Sequence, residues 1–264
     1  YRSFYLKELL KPNFFVYYSR DRLTSTPYYK NHGIRLESEI MKKADLVCCN
    51  SEYLAVLASE HNSNSKDIGQ GCDTEMFDAE QARVIPDDII DIKRPIIGYA
   101  GALKSSRLDS ELLEKIALVN PDWSIVLVGP EDAYFLGSNL HNLKNVHFTG
   151  SKPMNELPQY ISAFDVALNP QHINDITIGN YPRKIDEYLV LGKKIVATKT
   201  ETMKMFADYV YLAKGAEEYI EMISQALAES DESLKQSRIS FAKEHTWKNN
   251  VMRIYKEIEQ TINR

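Results

Sequence analysis

From residue 94 onward, short and almost uniformly apolar runs alternate with stretches of helical periodicity. The runs 95–100, 124–128, 146–149, 166–169, 195–198 and 210–212 read as strands. The stretches 109–119, 155–164, 184–191 and 217–229 read as the helices between them. Asn120-Pro121 ends the first helix, Gly129-Pro130 and Gly150 close two strands, and Gly192 stops the third helix. Strands without polar alternation are buried on both faces, as in a parallel sheet covered by helices. The pattern predicts a doubly wound domain with its ligand at the carboxyl ends of the strands.

The first 85 residues repeat this rhythm only briefly, with strands at 14–18, 45–50 and 66–69 and helices at 34–43 and 52–60. Three parallel strands leave open edges and little core. The chain also opens at Tyr1 without a methionine. The expectation is therefore an incomplete Rossmann-like domain over 1–85, its earlier strands missing, followed by a complete one over 86–247. Pro86 and a run of charges mark the boundary. After the tryptophan at 247, Val251, Ile254, Ile258 and Ile262 form one apolar stripe, which predicts a last helix over 248–264.

Residues 181–199 hold the most informative chemistry. Arg183, Lys184 and Glu187 stand at i, i+1 and i+4, so Arg183 and Glu187 share a helix face with Lys184 beside them. A basic pair at a helix start, one turn before a carboxylate, can grip a phosphate and a ribose together. The plainer reading is a surface ion pair between Arg183 and Glu187. Gly101, in the turn after the strand at 95–100, allows backbone to approach an anion, with Lys104 and Arg107 close behind. Gly150 allows the same close approach after the strand at 146–149. His147 in that strand reads as structural.

These segments resemble the nucleotide-sugar glycosyltransferases of the GT-B fold, family 4 type. The resemblance covers nearly all of the chain and implies an α/β architecture of two Rossmann-like domains, with parallel sheets facing a cleft. Tyr181-Pro-Arg-Lys-Ile-Asp-Glu-Tyr-Leu is similar to the "Pro-x-Lys-x-x-Glu-Tyr-Leu" of a subgroup found in polysaccharide and cell-envelope synthesis. There the glutamate, here Glu187, holds the ribose hydroxyls and the lysine, here Lys184, meets the diphosphate. Asp67-Ile-Gly-Gln-Gly-Cys-Asp-Thr-Glu-Met-Phe77 resembles the signature that ends the first domain, with Gln70 and Cys72 replacing Asn and Val. Where the wider family has Gly-Arg-Leu and then a lysine, this chain has Ala102 and, about the lysine's place, Arg107. Lys104 is the substitute cation. The main chain after Gly150, through Ser151 and Lys152, corresponds to the part that reads the nucleobase. Asn180 lies in the polar loop before the helix. The family's first glutamate of a Glu–seven residues–Glu motif, which implies contacts to the transferred sugar, falls at Gly179, a departure from the pattern. The family's last helix crosses back to the first domain.

Composition narrows the partners. The 264 residues carry a net charge of −5, which argues against nucleic acid. The balance is uneven: ten Lys and Arg against seven Asp and Glu in residues 1–66, then 22 against 30. The basic first segment is compatible with an anionic acceptor or with peripheral association at a membrane face. Cys48, Cys49 and Cys72 are odd in number, lack metal-ligand spacing and suit a reducing cytoplasm. No apolar stretch is long enough to span a bilayer.

The resemblance implies a retaining, metal-independent glycosyltransferase without a cofactor. It moves a sugar from a UDP-, GDP- or other nucleoside diphosphate donor to a glycan or lipid-linked acceptor. Lys184 and Arg107 are the catalytic candidates, countering charge on the leaving diphosphate. Gly101, Lys104, Gly150, Ser151, Lys152, Asn180, Arg183 and Glu187 are the donor-binding candidates. Asp21, Ser51, Tyr28 and Tyr29 are candidates for the acceptor side. The alternatives are a non-catalytic nucleotide-sugar-binding module and a GT-B-fold sugar-nucleotide epimerase.

Overall fold

The computed structural model describes residues 5–22, 25, 27–81 and 83–263. In chain order the elements are α1 (Leu6–Leu10), β1 (Val16–Ser19), α2 (Pro27–Lys43), β2 (Leu46–Cys49), α3 (Glu52–Ser59) and β3 (Ser65–Asp67). Next come β4 (Ile96–Ala100), α4 (Ser110–Val119), β5 (Ser124–Val128), α5 (Ala133–Leu136), β6 (Val146–Gly150), α6 (Leu157–Ala163) and β7 (Val166–Asn169). The remainder is α7 (Arg183–Val190), β8 (Ile195–Thr198), β9 (Tyr211–Ala213), α8 (Gly215–Ala228), α9 (Glu232–Lys243) and α10 (Trp247–Ile262).

The chain divides into two compact units: Tyr1–Gly71 with Ile173–Tyr181 and His245–Arg264, and Cys72–His172 with Pro182–Glu244. The division falls earlier than the boundary expected after residue 85. Beyond it, Arg83 donates to the carbonyls of Met76 (3.1 Å) and Asp78 (2.5 Å).

In the second unit every strand pair is parallel, in the order β6-β5-β4-β7-β8-β9. The chain runs outward from β4 to β6, returns beside β4 as β7, and runs outward the other way. The carboxyl ends of β4 and β7 are therefore the topological switch point. β4, β5, β7 and β8 are buried at every residue, as their apolar runs predict. Gly98 is needed in β4 because the Phe164 ring occupies the place of a side chain.

The helix α9 was not expected. Its anchor is Arg238, which donates from Nη1 and Nη2 to the two Glu229 oxygens (2.6 Å each) and from Nε to the Tyr209 carbonyl (3.1 Å). Both partners are buried, so loss of either would cost roughly 3–5 kcal/mol.

The first unit has the parallel sheet β1-β2-β3, with α10 packed on it. Ile254 and Ile258 of α10 lie against Leu46, Cys48 and Ile68. Asn250 donates to the carbonyls of Ile68 (2.9 Å) and Gly69 (3.0 Å). The helix begins at Trp247, one residue earlier than expected, with Thr246 as its N-cap accepting from the Asn249 N–H (3.0 Å). At its other end of the unit, α2 begins at Pro27 rather than 34, because proline suits the first helical turn.

Candidate functional site

Three glycine turns close β4, β5 and β6 side by side. Gly101, Gly129 and Gly150 have φ of 145°, 148° and 71°, where residues with side chains are strained. The Gly101 N–H donates to the Val128 carbonyl (2.8 Å), and the Gly129 N–H to the Gly150 carbonyl (2.9 Å). A Cβ on Gly129 would overlap the Gly101 carbonyl oxygen, so these two turns meet backbone to backbone. Gly101 therefore contributes open space rather than a free donor.

Lys184, in the first turn of α7, fills the mouth of that space. Its Nζ lies 2.8 Å from where a Gly101 Cβ would stand, and the Tyr99 hydroxyl lies 3.0 Å from the same point. Lys184 donates to Tyr99 Oη (2.5 Å) and sits 3.9 Å from the centroid of the ring. Pro182 caps α7 with no side-chain hydrogen bond. The first N–H groups of any helix have no intrahelical acceptor, so this terminus presents donors and a positive dipole end.

Tyr188 fixes the helix to the strand. The Ala100 N–H donates to Tyr188 Oη (2.8 Å), and the Tyr188 hydroxyl donates to the Ala100 carbonyl (3.2 Å). One turn ahead on the same helix, Arg183 and Glu187 form the i,i+4 ion pair (3.0 Å) that their spacing allows. The Glu187 side chain is only 12% exposed. Burial raises its carboxyl above the ordinary 4.5, against the pull of the Arg183 and Lys184 charges.

Other predicted residues fall elsewhere. Lys104 and Arg107 are exposed on the loop after β4. That loop is pinned by Ser105, whose N–H and hydroxyl both donate to Asp132 (2.8 Å each). Ser151 is exposed. Lys152 pairs with Asp88 (2.7 Å) over the Tyr160 ring, and the Tyr160 hydroxyl donates to the same carboxylate (2.8 Å). Its ammonium thus ties the segment before β4 to α6. Burial lowers the imidazole pKa of His147.

Asn180 belongs to the first unit, with the segment Ile173–Tyr181. It is 8% exposed, and neither amide atom has a partner. Beside it, the Gly179 carbonyl accepts from Ser51 Oγ (2.7 Å), and the Tyr53 ring occupies the place of a Gly179 side chain. Arg22 donates to Tyr53 Oη (3.2 Å) and to Asp175 (3.1 Å). Asp21 lines a cavity of about 160 Å³ with Glu37, Ser38 and His61 between α2 and α3. Tyr29 is partly buried in α2; the Tyr28 side chain lies outside the described residues.

The structure brings Gly101 together with Lys184, and Arg183 with Glu187, while the Lys152 ammonium pairs with Asp88. Tyr99, Gly129 and Tyr188 emerge only here. So does Asn169 at the end of β7, 1% exposed with both amide atoms unpartnered. One signal was available in the sequence: Asn169 is the polar end of an apolar strand. Among the described residues no group of three or more His, Cys, Asp or Glu is arranged to hold a metal, and no helix is long and apolar enough to cross a membrane.

The second unit is a doubly wound α/β fold, the class whose ligands lie at the carboxyl ends of the strands beside the switch point. The profile described as "Glycosyl transferases group 1" matches residues 94–229, and the chain belongs to that family. The chain is 29% identical over 226 residues to the putative teichuronic acid biosynthesis glycosyltransferase TuaH of Bacillus subtilis (strain 168). That match covers 80% of this chain and 56% of the relative, so the chain spans about half the length of the curated relative it matches. Among solved structures, Anabaena HepE in complex with UDP aligns with a TM-score of 0.73 at 18% identity, over 94% of this chain and 72% of its own. Sucrose-phosphate synthase from Thermosynechococcus elongatus aligns with a TM-score of 0.70 at 17% identity, over 99% and 72%. At such identity these likenesses show the fold: α/β with parallel sheets, as in GT-B glycosyltransferases.

Proposed function

We propose that the second unit binds a nucleoside diphosphate sugar, and that the protein transfers the sugar to a glycan or lipid-linked acceptor with retention and without a metal. The observation that carries this reading is the Lys184 ammonium held at the Gly101 turn, beside the α7 N-terminus, within the segment that defines the family. Breaking the anomeric bond leaves a second negative charge on the diphosphate. Lys184 counters it as it develops, with Arg107 or Lys104 from the neighbouring loop. Glu187 accepts the ribose hydroxyls, exchanging its bond with Arg183 for theirs. Gly179 has no room for an acidic side chain, so other groups hold the transferred sugar.

TuaH is named for teichuronic acid biosynthesis and HepE has been solved with UDP and with UDP-glucose. UDP-sugars are therefore the first donors to test, with a cell-envelope polysaccharide or its lipid-linked precursor as acceptor. The net positive charge of residues 1–66 favours work at an anionic membrane face. The test is titration of the full-length protein with UDP and GDP, then turnover with the sugar donors of whichever binds. Failure to bind either diphosphate would remove the reading.

A further inference from the structure

Tyr99 has two ends in two environments. Its ring belongs to the core of the second unit, packed with Leu103, Leu108, Leu112 and the residues around them, and the residue is 4% exposed. Its hydroxyl emerges at the open face of Gly101. A phenylalanine or leucine would serve the core equally well, so the hydroxyl needs a separate reason. Lys184 supplies one. The ammonium donates to Oη (2.5 Å), while the hydroxyl points its own proton toward the Ala102 carbonyl (3.4 Å). The same ammonium lies 3.9 Å from the ring centroid, within cation–π range. An unrestrained lysine spreads its charge over many rotamers and must lose that freedom on gripping a ligand. Here two contacts from one tyrosine hold it in place beforehand, and Tyr188 holds the strand end that carries both.

We propose that Tyr99 is a positioning residue, whose hydroxyl and ring fix the Lys184 ammonium over the Gly101 turn in readiness for the diphosphate of the donor. This rests on the donor-binding role of Lys184 proposed above. With Tyr99 in place, the lysine meets the incoming phosphate already ordered. The phosphate then adds to the hydroxyl as a hydrogen-bond partner, since an ammonium has three donors.

The experiment compares full-length wild type with Tyr99→Phe, Tyr99→Leu and Lys184→Ala by titration with UDP and uridine, and with GDP and guanosine. Tyr99→Phe keeps the ring and the packing, so its melting temperature should stay at the wild-type value. Its affinity for the diphosphate that binds should fall roughly five- to tenfold, with the matching nucleoside unaffected. Tyr99→Leu, which also loses the ring, should fall further in the same direction. If Lys184→Ala weakens diphosphate binding and Tyr99→Phe does not, Tyr99 is only a core residue and the proposal is overturned. Equal losses for nucleoside and diphosphate in Tyr99→Phe overturn it too. If Lys184→Ala changes nothing, or wild type binds neither diphosphate, the donor-site reading itself is what fails.

Discussion

The ends of β4, β5 and β6 in the second unit and the strand ends of the first unit run into different residues. In the second unit, β4, β5 and β6 end in glycine turns, and the side chain brought to the first of them, at Gly101, is a cation, Lys184. In the first unit, β1, β2 and β3 run into Ser19, Asn50, Ser51 and Gln70, all buried, polar and neutral. There Asn50 donates to Gln70 (3.1 Å), while Asn50 Oδ1 and both Asn180 amide atoms have no partner. Glycine and ammonium suit a compact anion, which needs close approach and positive charge. Amides and hydroxyls suit a neutral polyhydroxyl group, which needs directional donors and acceptors. One topology thus presents two different sets of chemical groups, set by which residues follow each strand.

The comparison is most sharply broken at the glycines. Gly129→Ala puts a methyl group onto the Gly101 carbonyl oxygen at a positive φ. It should destabilise the protein by roughly 3 kcal/mol or more and abolish diphosphate binding. Gly179→Ala in the first unit meets the Tyr53 ring, which is held by Arg22, and should cost about 2 kcal/mol. A Gly179→Ala, Tyr53→Ala double variant should recover part of that loss. Denaturant melts of the three proteins decide both points; a neutral Gly129→Ala would mean that the turns do not meet as described.

Lys184→Ala tests the charge itself. Diphosphate affinity should fall about thirtyfold, because a charge-assisted contact contributes roughly 2 kcal/mol. Nucleoside affinity should hold, and rising salt should weaken the diphosphate in wild type more than in the variant. Equal losses for the two ligands would take Lys184 out of the site.

Much of this was legible in the chain. Strands buried on both faces are apolar runs, so β4, β5, β7 and β8 could be read with their order along the sequence. The helix carrying Arg183, Lys184 and Glu187 was legible from local spacing, because i,i+4 neighbours meet on any helix. What escaped depends on contacts distant in sequence. Tyr99 read as one more apolar strand residue, since nothing in a linear pattern shows that its hydroxyl meets a lysine 85 residues away. Gly129 read as punctuation, although the Gly101 carbonyl is what excludes a side chain there. Lys152 was read for its main chain, and nothing in the linear pattern showed that its ammonium pairs with Asp88 over the Tyr160 ring. The helix α9 escaped because its buried face is short, Ile239 and Ala242 beside the Arg238–Glu229 pair.

Glu187 gives a smaller effect with a pH signature. Glu187→Gln should weaken nucleoside and diphosphate alike about tenfold, since the ribose is common to both. Burial holds the carboxyl above 4.5 in the folded protein. As pH falls through that raised value the carboxyl gains a proton, so wild-type affinity should decline at higher pH than an ordinary glutamate allows. Stability moves the other way. A raised acid pKa contributes stability that is full below 4.5 and lost as pH rises through the folded value, so Glu187→Gln should remove that slope. Melting curves and titrations across the same pH series would separate the two trends; parallel trends would show that Glu187 does not serve the ligand as a carboxylate.

The smallest expected effect belongs to Arg183, and it separates a donor ligand from a helix ornament. Its side chain is 44% exposed, so the bond to Glu187 is a solvent-screened i,i+4 pair contributing about 0.5 kcal/mol or less. Arg183→Gln should accordingly leave the melting temperature almost unmoved at moderate salt. In the free protein Arg183 occupies Glu187; in the complex proposed here the ribose takes that place and frees the guanidinium. Removing Arg183 therefore removes a competitor as well as a cation. Nucleoside affinity should stay level or rise slightly, while the diphosphate should lose no more than about threefold, against about thirtyfold for Lys184→Ala. A diphosphate loss matching that of Lys184→Ala would make Arg183 the principal phosphate cation, and the ordered lysine at the Gly101 turn its helper.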